Sequence, residues 1–372
     1  MADPHSHNPF RTNSDAEKSI CLCMIVKNES AVIERCLASV RDIIDHWVIC
    51  DTGSTDDTRE RIQRALEGIP GELHSCAWVD FGTNRTQAIT LAKNKADYIL
   101  VLDADMTASY GPGVKKALSL DSYLVRFTGD LDYRQRLILS GRRNYKYVGA
   151  VHEYVQTESD ERSEHLDTLT VTHHGDCDVS SGKPQRYLDM LMASYKKNPN
   201  DSRTAFYLAQ TLRDLGRIDE ALEYYEKRVE IGGWEEETFY ALYQMAVLVD
   251  QHNDWGTGFQ AYVRAWEFRP TRLEPVYHIV HRLRRRKEFR TAIVFAHATL
   301  GQPYPSSDVL FVHRWMYTFG LPLEYAYCGV EVGFYEEAIA ACDLVRARRD
   351  VPERVFAEAN RLRARAKERM SG

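Results

Sequence analysis

The sequence predicts an α/β domain built on a mostly parallel sheet, followed by an all-α helical-repeat domain. Two observations predict it. Short apolar runs alternate with helical periodicities from Ile20 to Asp105, and each run ends in a polar cluster. After Lys183-Pro184 the strand signal disappears, and Ala, Leu, Tyr and Arg recur at helical spacing. The expected division is a flexible leader over residues 1–18, the α/β domain over 19–182 and the helical repeats over 183–372.

The first apolar run, Ile20 to Val26, is short enough for a buried strand and stops at Lys27-Asn28-Glu29-Ser30. Ile33, Cys36, Leu37 and Val40 then mark a helix. Trp47 to Cys50 is a second strand, closed by Asp51-Thr52-Gly53-Ser54-Thr55-Asp56-Asp57, and a helix runs through Thr58, Ile62 and Leu66. A strand from Leu73 to Val79 precedes Asn84-Arg85 and a helix through Ala88 and Leu91. A strand from Tyr98 to Leu102 ends in Asp103-Ala104-Asp105. This order implies parallel pairing with right-handed crossovers. Such sheets bind ligands at the carboxyl ends of their strands, where every one of these polar clusters stands.

The bulk numbers exclude several classes. The 372 residues suffice for two cores, and 44% hydrophobic with 27% charged is ordinary for a globular chain. A net charge of -6 gives no global attraction to nucleic acid or anionic lipid. The eight cysteines lack metal-site spacing and read as buried, reduced thiols. No window reaches the ~18 apolar residues of a membrane span. Residues 1–18 lack the apolar stretch of a signal peptide, so the expected location is cytoplasmic. The first strand does not lead into Gly-x-Gly-x-x-Gly, and no His-Glu-x-x-His occurs, which argues against a dinucleotide-dependent dehydrogenase and a zinc hydrolase.

Asp103 and Asp105, one residue apart at a strand end, offer hard carboxylate oxygens to Mg or Mn, with diphosphate oxygens completing the shell. The plainer reading is two solvated loop carboxylates, one of them a helix cap. Gly53 permits a tight turn, and Ser54 or Thr55 could cap the next helix. Asp51 directly follows four apolar residues, and could accept from a nucleobase N–H or ribose hydroxyls. Arg85, opening the next helix, could pair with a diphosphate. Arg126, Arg134 and Arg136 read more simply as surface cations than as substrate contacts.

Met24-Ile25-Val26-Lys27-Asn28-Glu29, Asp51 to Asp56, Asn84-Arg85 and Leu102-Asp103-Ala104-Asp105 together resemble the family 2 glycosyltransferases, over roughly residues 20–180. The resemblance implies a GT-A fold, a nucleoside-diphosphate sugar donor (usually UDP), and Mn2+ or Mg2+ on the Asp-x-Asp. It places Lys27 and Asp51 near the base and ribose and Arg85 near the diphosphate, and counts Glu29 and Ser54 among the donor-binding residues. Asp103 would touch ribose or metal and Asp105 the metal. Inverting members place a carboxylate base at the start of a helix. The matching pair here is His152-Glu153, with Glu153 the candidate base and His152 its alternative. Leu169 to Asp176 alternates like a strand and resembles the His-x-Gly segment of related enzymes. That selects His173 as a further metal or diphosphate ligand, ahead of His174.

In the second half, small residues recur at Ala221, Gly258 and Ala292, and more weakly at Ala338. The period is close to the ~34 residues of tetratricopeptide repeats, which the segment resembles. Such arrays bind peptide or protein; the plainer reading is a domain that buttresses the enzyme or makes a homodimer. The basic run His281 to Lys287 reads as a solvated face before it reads as a site for an acidic substrate or nucleic acid. A family 2 domain with such repeats is similar to bacterial enzymes that glycosylate bacteriocin peptides on Cys or Ser, which makes peptide or protein the expected acceptor. Saccharide, lipid or a nucleic-acid base is the alternative acceptor, and a catalytically silent partner-binding scaffold the alternative class.

Overall fold

The computed structural model of the chain describes residues 17–128, 133–157, 160–175, 183–252 and 255–371. The chain divides into two compact units, residues 1–127 with 134–179 and residues 128–133 with 180–372. The expected leader lies outside the described residues as far as residue 16, and so do Cys177 and the expected boundary at 182.

The first unit carries strands β1 (Ile20–Val26), β2 (His46–Asp51), β3 (Gly71–Ser75), β4 (Tyr98–Val101), β5 (Met106–Tyr110), β6 (Ser122–Thr128), β7 (Tyr133–Ser140), β8 (Tyr145–Val148), β9 (Tyr154–Thr157) and β10 (Ser163–His173). Its helices are α1 (Ile33–Val40), α2 (Thr58–Ala65) and α3 (Phe81–Ala92). Eight strands form one sheet in the order β3-β2-β1-β4-β7-β6-β10-β5, and β8 and β9 form a separate hairpin. The first four neighbours are parallel. β7 runs antiparallel to β4, and β5 antiparallel to β10.

Local chemistry accounts for these elements. β4 is buried throughout and β1 nearly so, as a strand covered on both faces should be. α1 buries Ile33, Cys36, Leu37 and Val40, one stripe at helical spacing. β3 ends at Ser75, short of the expected Val79. Buried Asn84 accepts from Val79 N at 2.9 Å and donates to Ala77 O at 2.8 Å, while Asp80 caps α3 by accepting from Thr83 N at 2.7 Å. Residues 76–80 are thereby drawn out of the sheet into the helix entry. The seven described cysteines are buried free thiols, and burial pushes Cys21 and Cys36 up to about 12.

The second unit is helical: α4 (Lys183–Lys197), α5 (Ser202–Asp214), α6 (Ile218–Ile231), α7 (Glu235–Gln251), α8 (Trp255–Phe268), α9 (Glu274–Arg285), α10 (Phe289–Thr299), α11 (Leu321–Val332), α12 (Tyr335–Arg346) and α13 (Glu353–Ser371). A π-helical turn, Met316–Gly320, leads into α11. α5/α6, α7/α8, α9/α10 and α11/α12 pack as successive hairpins. Ala221, Ala292 and Ala338 are fully buried on the second helix of their hairpins, and Gly258 abuts Asp250 in the same position. This is the tetratricopeptide-like pattern of a small residue at the close approach of paired helices. Four of the six basic side chains of the run meet acidic partners, Arg282 with Asp250, His281 and Arg284 with Glu324, and Arg286 with Glu288, while Arg285 and Lys287 are exposed. No described helix is long and apolar enough to cross a membrane.

His278 in α9 is half-buried between Tyr243, whose hydroxyl is 2.9 Å from Nε2, and the stacked ring of Tyr262. Burial, with charge from His313 and His281, lowers its pKa from 6.5 to about 4. Folding favours the neutral ring, so stability is full above pH 6.5 and declines as pH falls toward 4. Between pH 7 and 5 the helical unit should lose about 2 kcal/mol from this group. Urea unfolding at both pH values measures it, and His278→Gln should shrink the difference.

Candidate active site

The site is assembled where the strand ends meet, beginning with the loops after β1 and β2, which are stitched together. Asn28 takes a left-handed φ of 57°, a conformation that Asn tolerates. Its N–H donates to Ser54 Oγ at 3.0 Å, and its Oδ1 accepts from Thr55 N at 2.8 Å. Glu29 N donates to Thr58 Oγ1 at 2.8 Å. Asp56 accepts from Ser30 N at 3.2 Å and Thr58 N at 3.1 Å. Burial favours the protonated Asp56 carboxyl, but these bonds outweigh it and take its pKa down to about 2. Neither Ser54 nor Thr55 caps α2: its N-cap is Asp57, which makes no side-chain cap bond, Asp56 receives the first helical N–H, and Ser54 ties the two loops. Lys27 is exposed at the rim, and Glu29 is half-buried.

Asp51, at the end of β2, is buried with both oxygens engaged. Oδ1 accepts from Ser54 N at 2.9 Å, and Oδ2 pairs with Arg59 at 2.8 Å. Burial raises its pKa, and the Ser54 and Arg59 bonds more than compensate, so it titrates below its ordinary range. Arg59 also reaches Ser75 Oγ at 3.2 Å, spanning the ends of β2 and β3. Sequence reading missed this residue. The available signal was a cation in the first turn of the helix that follows a strand-end carboxylate.

Arg85 is the fifth residue of α3, which begins at Phe81, so it does not open that helix as expected. Its guanidinium is 11% exposed and binds two carboxylates, Asp103 Oδ1 at 2.5 Å and Glu153 through Nε. The Tyr147 ring lies 5.8 Å away. Glu153 is 10% exposed and Asp103 32%. Glu153 stands between β8 and β9, and no helix starts there, unlike the arrangement that the resemblance implied. It is presented by a tight turn in which Gly149 has φ 109° and the exposed His152 φ 54°. The turn rests on α3. Phe81 N donates to Ala150 O at 3.3 Å, and a Cβ on Gly82 would stand 2.3 Å from Gly149 O. Gly82→Ala therefore must push backbone from backbone and part Arg85 from Glu153. A loss of about 1–3 kcal/mol in denaturant unfolding is expected, together with reduced activity.

Leaving β4 through Asp103 and Asp105, the chain crosses to β5 at the far edge of the sheet. There His173 of β10 pairs in register with Met106, and His174 N donates to Asp105 O at 3.0 Å. That register brings His173 Nε2 within 2.9 Å of Asp105 Oδ2, while His174 Nε2 faces Thr107 Oγ1 at 2.9 Å. His173 is 47% exposed, and Asp105 is buried. Asp105 and His173 are thus adjacent, while Asp103 is engaged by Arg85. Among the described residues no three metal-binding side chains are already gathered. Arg134 and Arg136 pair with Asp167 and Glu161, each at 3.1 Å.

Residues 21–119, which contain every strand-end cluster up to Asp105, match the glycosyl transferase family 2 model. A TPR repeat-containing protein of Synechococcus elongatus is 28% identical over 72% of this chain and 69% of its own length. The SPbeta prophage-derived glycosyltransferase SunS of Bacillus subtilis is 27% identical over 55% of this chain, and the match spans about half of that relative, 52%. A tetratricopeptide repeat protein of known structure from Parabacteroides merdae is 15% identical, covering 51% of this chain and 70% of that one at a TM-score of 0.37. The N-terminal unit thus carries a glycosyl transferase family 2 domain over residues 21–119, and tetratricopeptide-like helical repeats follow that unit.

Proposed function

We propose that the chain transfers a sugar, with inversion, from a nucleoside-diphosphate sugar (UDP first among them) to a nucleophile on a peptide or protein acceptor. The observation that carries the reading is the convergence of Asp103, Asp105, His173, Arg85 and Glu153 around the end of β4. The donor set fits a hard divalent cation: Asp105 supplies a carboxylate, His173 an imidazole 2.9 Å from it, and Asp103 a second carboxylate two residues away. Bound by these side chains, Mn2+ or Mg2+ would neutralise the charge on the departing diphosphate. Asp51 and Arg59 at the end of β2, with Lys27 following the neighbouring β1, are the residues for base and ribose in this reading. Glu153 takes the acceptor's proton as the nucleophile bonds to the anomeric carbon and the bond to the diphosphate oxygen breaks. The helical hairpins support a peptide or protein acceptor, since such arrays present extended surfaces to chains of that kind.

Calorimetry with a panel of nucleotides and nucleotide sugars, with and without Mn2+, tests the reading. Metal-dependent binding of one nucleoside diphosphate and its sugars is expected, and binding of none would overturn it. Asp105→Ala should abolish the metal dependence, because it removes one donor and leaves His173 without its carboxylate.

A further inference from the structure

Asp103 and Glu153 serve opposite ends of the proposed reaction, one the donor and the other the acceptor, yet a single guanidinium holds both. Arg85 gives Nη2–H to Asp103 at 2.5 Å and Nε–H to Glu153. Its place is set by packing. The entry of α3 lies against the 149–153 turn at Gly82, and Tyr147 covers one side of the guanidinium. Two carboxylates against one guanidinium leave an excess negative charge in a poorly hydrated pocket, which favours a further cation. A cation on Asp103 would compete with Arg85 for the charge of that carboxylate, whose Oδ1 the guanidinium already holds. Moving the guanidinium off Asp103 also moves Nε, the atom that holds Glu153.

We propose that Arg85 is a positioning residue that locks the base. In the ligand-free protein its guanidinium fills the cation's place at Asp103 and keeps Glu153 ion-paired, and it leaves both when a divalent cation is taken up at Asp103. The released guanidinium can then meet the diphosphate, and Glu153 becomes available to an acceptor only after the donor side is loaded. The inference rests on the roles given above to Asp103 and Glu153.

Two measurements on the intact chain test it. Carbodiimide labelling with glycine ethyl ester, read by peptide mass spectrometry, should modify Glu153 slowly in the ligand-free protein and several-fold faster once Mn2+ alone is added. Titration of Mn2+ without nucleotide should show Arg85→Gln binding about tenfold more tightly than the parent, because the competing cation is gone. Arg85→Lys, which keeps the charge, should stay within about threefold of the parent. Mn2+ affinity in Arg85→Gln equal to or weaker than the parent's overturns the lock. So does Glu153 labelling that ignores Mn2+, a readout that needs no variant to fold. If Mn2+ accelerates the labelling while no nucleotide sugar binds, the lock stands and the donor assignment falls.

Discussion

Glu153→Gln is expected to slow sugar transfer about 10²–10⁴-fold, the usual contribution of a positioned general base. The amide has the shape of the carboxylate and can still accept from Arg85 Nε, so the turn at Gly149–Glu153 and the Asp103 contact should survive. Donor affinity should stay within about threefold of the parent, because Glu153 stands on the acceptor side of the guanidinium. His152→Ala separates the two candidates. His152 is exposed and its backbone is left-handed, so it shapes the turn from outside the buried Arg85 pocket. Its loss should cost less than about tenfold in transfer. Full activity in Glu153→Gln with collapse in His152→Ala would move the base to the histidine.

Much of this arrangement is legible in the residues, and the parts that are not have physical reasons. β1, β2 and β4 announce themselves because strands covered on both faces are continuous apolar runs, and helical crossovers separate them. β5 and β6 do not, since each mixes buried residues with half-buried or exposed ones, and β7 buries only Leu137 to Leu139 of its eight residues. The route from β4 to β5 is therefore invisible beforehand, although it is what brings His173 to Asp105. Side-chain partnership is less legible still. Nothing in the spacing shows that Asp51 meets Arg59, that Ser54 ties back to Asn28, or that Arg85 reaches across to Glu153, 68 residues later. The partners of the basic run in α9 are hidden for the same reason, since Glu324 lies on α11 and Asp250 on α7. The helical period is readable because a small residue is required at each hairpin contact. It weakens at the fourth hairpin, where residues 300–315 intervene between α10 and the π-helical turn.

That intervening segment is held by the most buried charges of the helical unit, and Arg272→Met is expected to destabilise the unit by about 3–5 kcal/mol. Arg272 and Glu274 are both 0% exposed. Arg272 pairs with Glu274 at 2.9 Å and Asp308 at 3.3 Å, and donates to Leu310 O at 3.3 Å and Phe311 O at 2.9 Å. Phe239 stacks on its guanidinium at 4.5 Å. Burial alone would lower its pKa, but Glu274 and Asp308 outweigh that and hold it above the ordinary arginine range. Methionine keeps much of the volume and the contact with Phe239, but strands Glu274 without a countercharge and frees the Phe311 carbonyl. Phe311 has φ 46°, a strained backbone that only such anchoring sustains. Glu236, which accepts from Val309 N and Leu310 N at 2.8 Å each, and Arg269, which pairs with Asp308 at 2.7 Å, keep part of the segment in place. The result should therefore be a lower unfolding midpoint with a looser 300–315 segment, visible as faster hydrogen exchange there. Adding Glu274→Gln to Arg272→Met should restore part of the loss, since the amide oxygen can still accept from His313 N and the amide N–H can turn to the Tyr317 hydroxyl, without a buried charge. If the double variant is as unstable as the sum of the two single ones, the cost lies in lost packing and not in the stranded carboxylate.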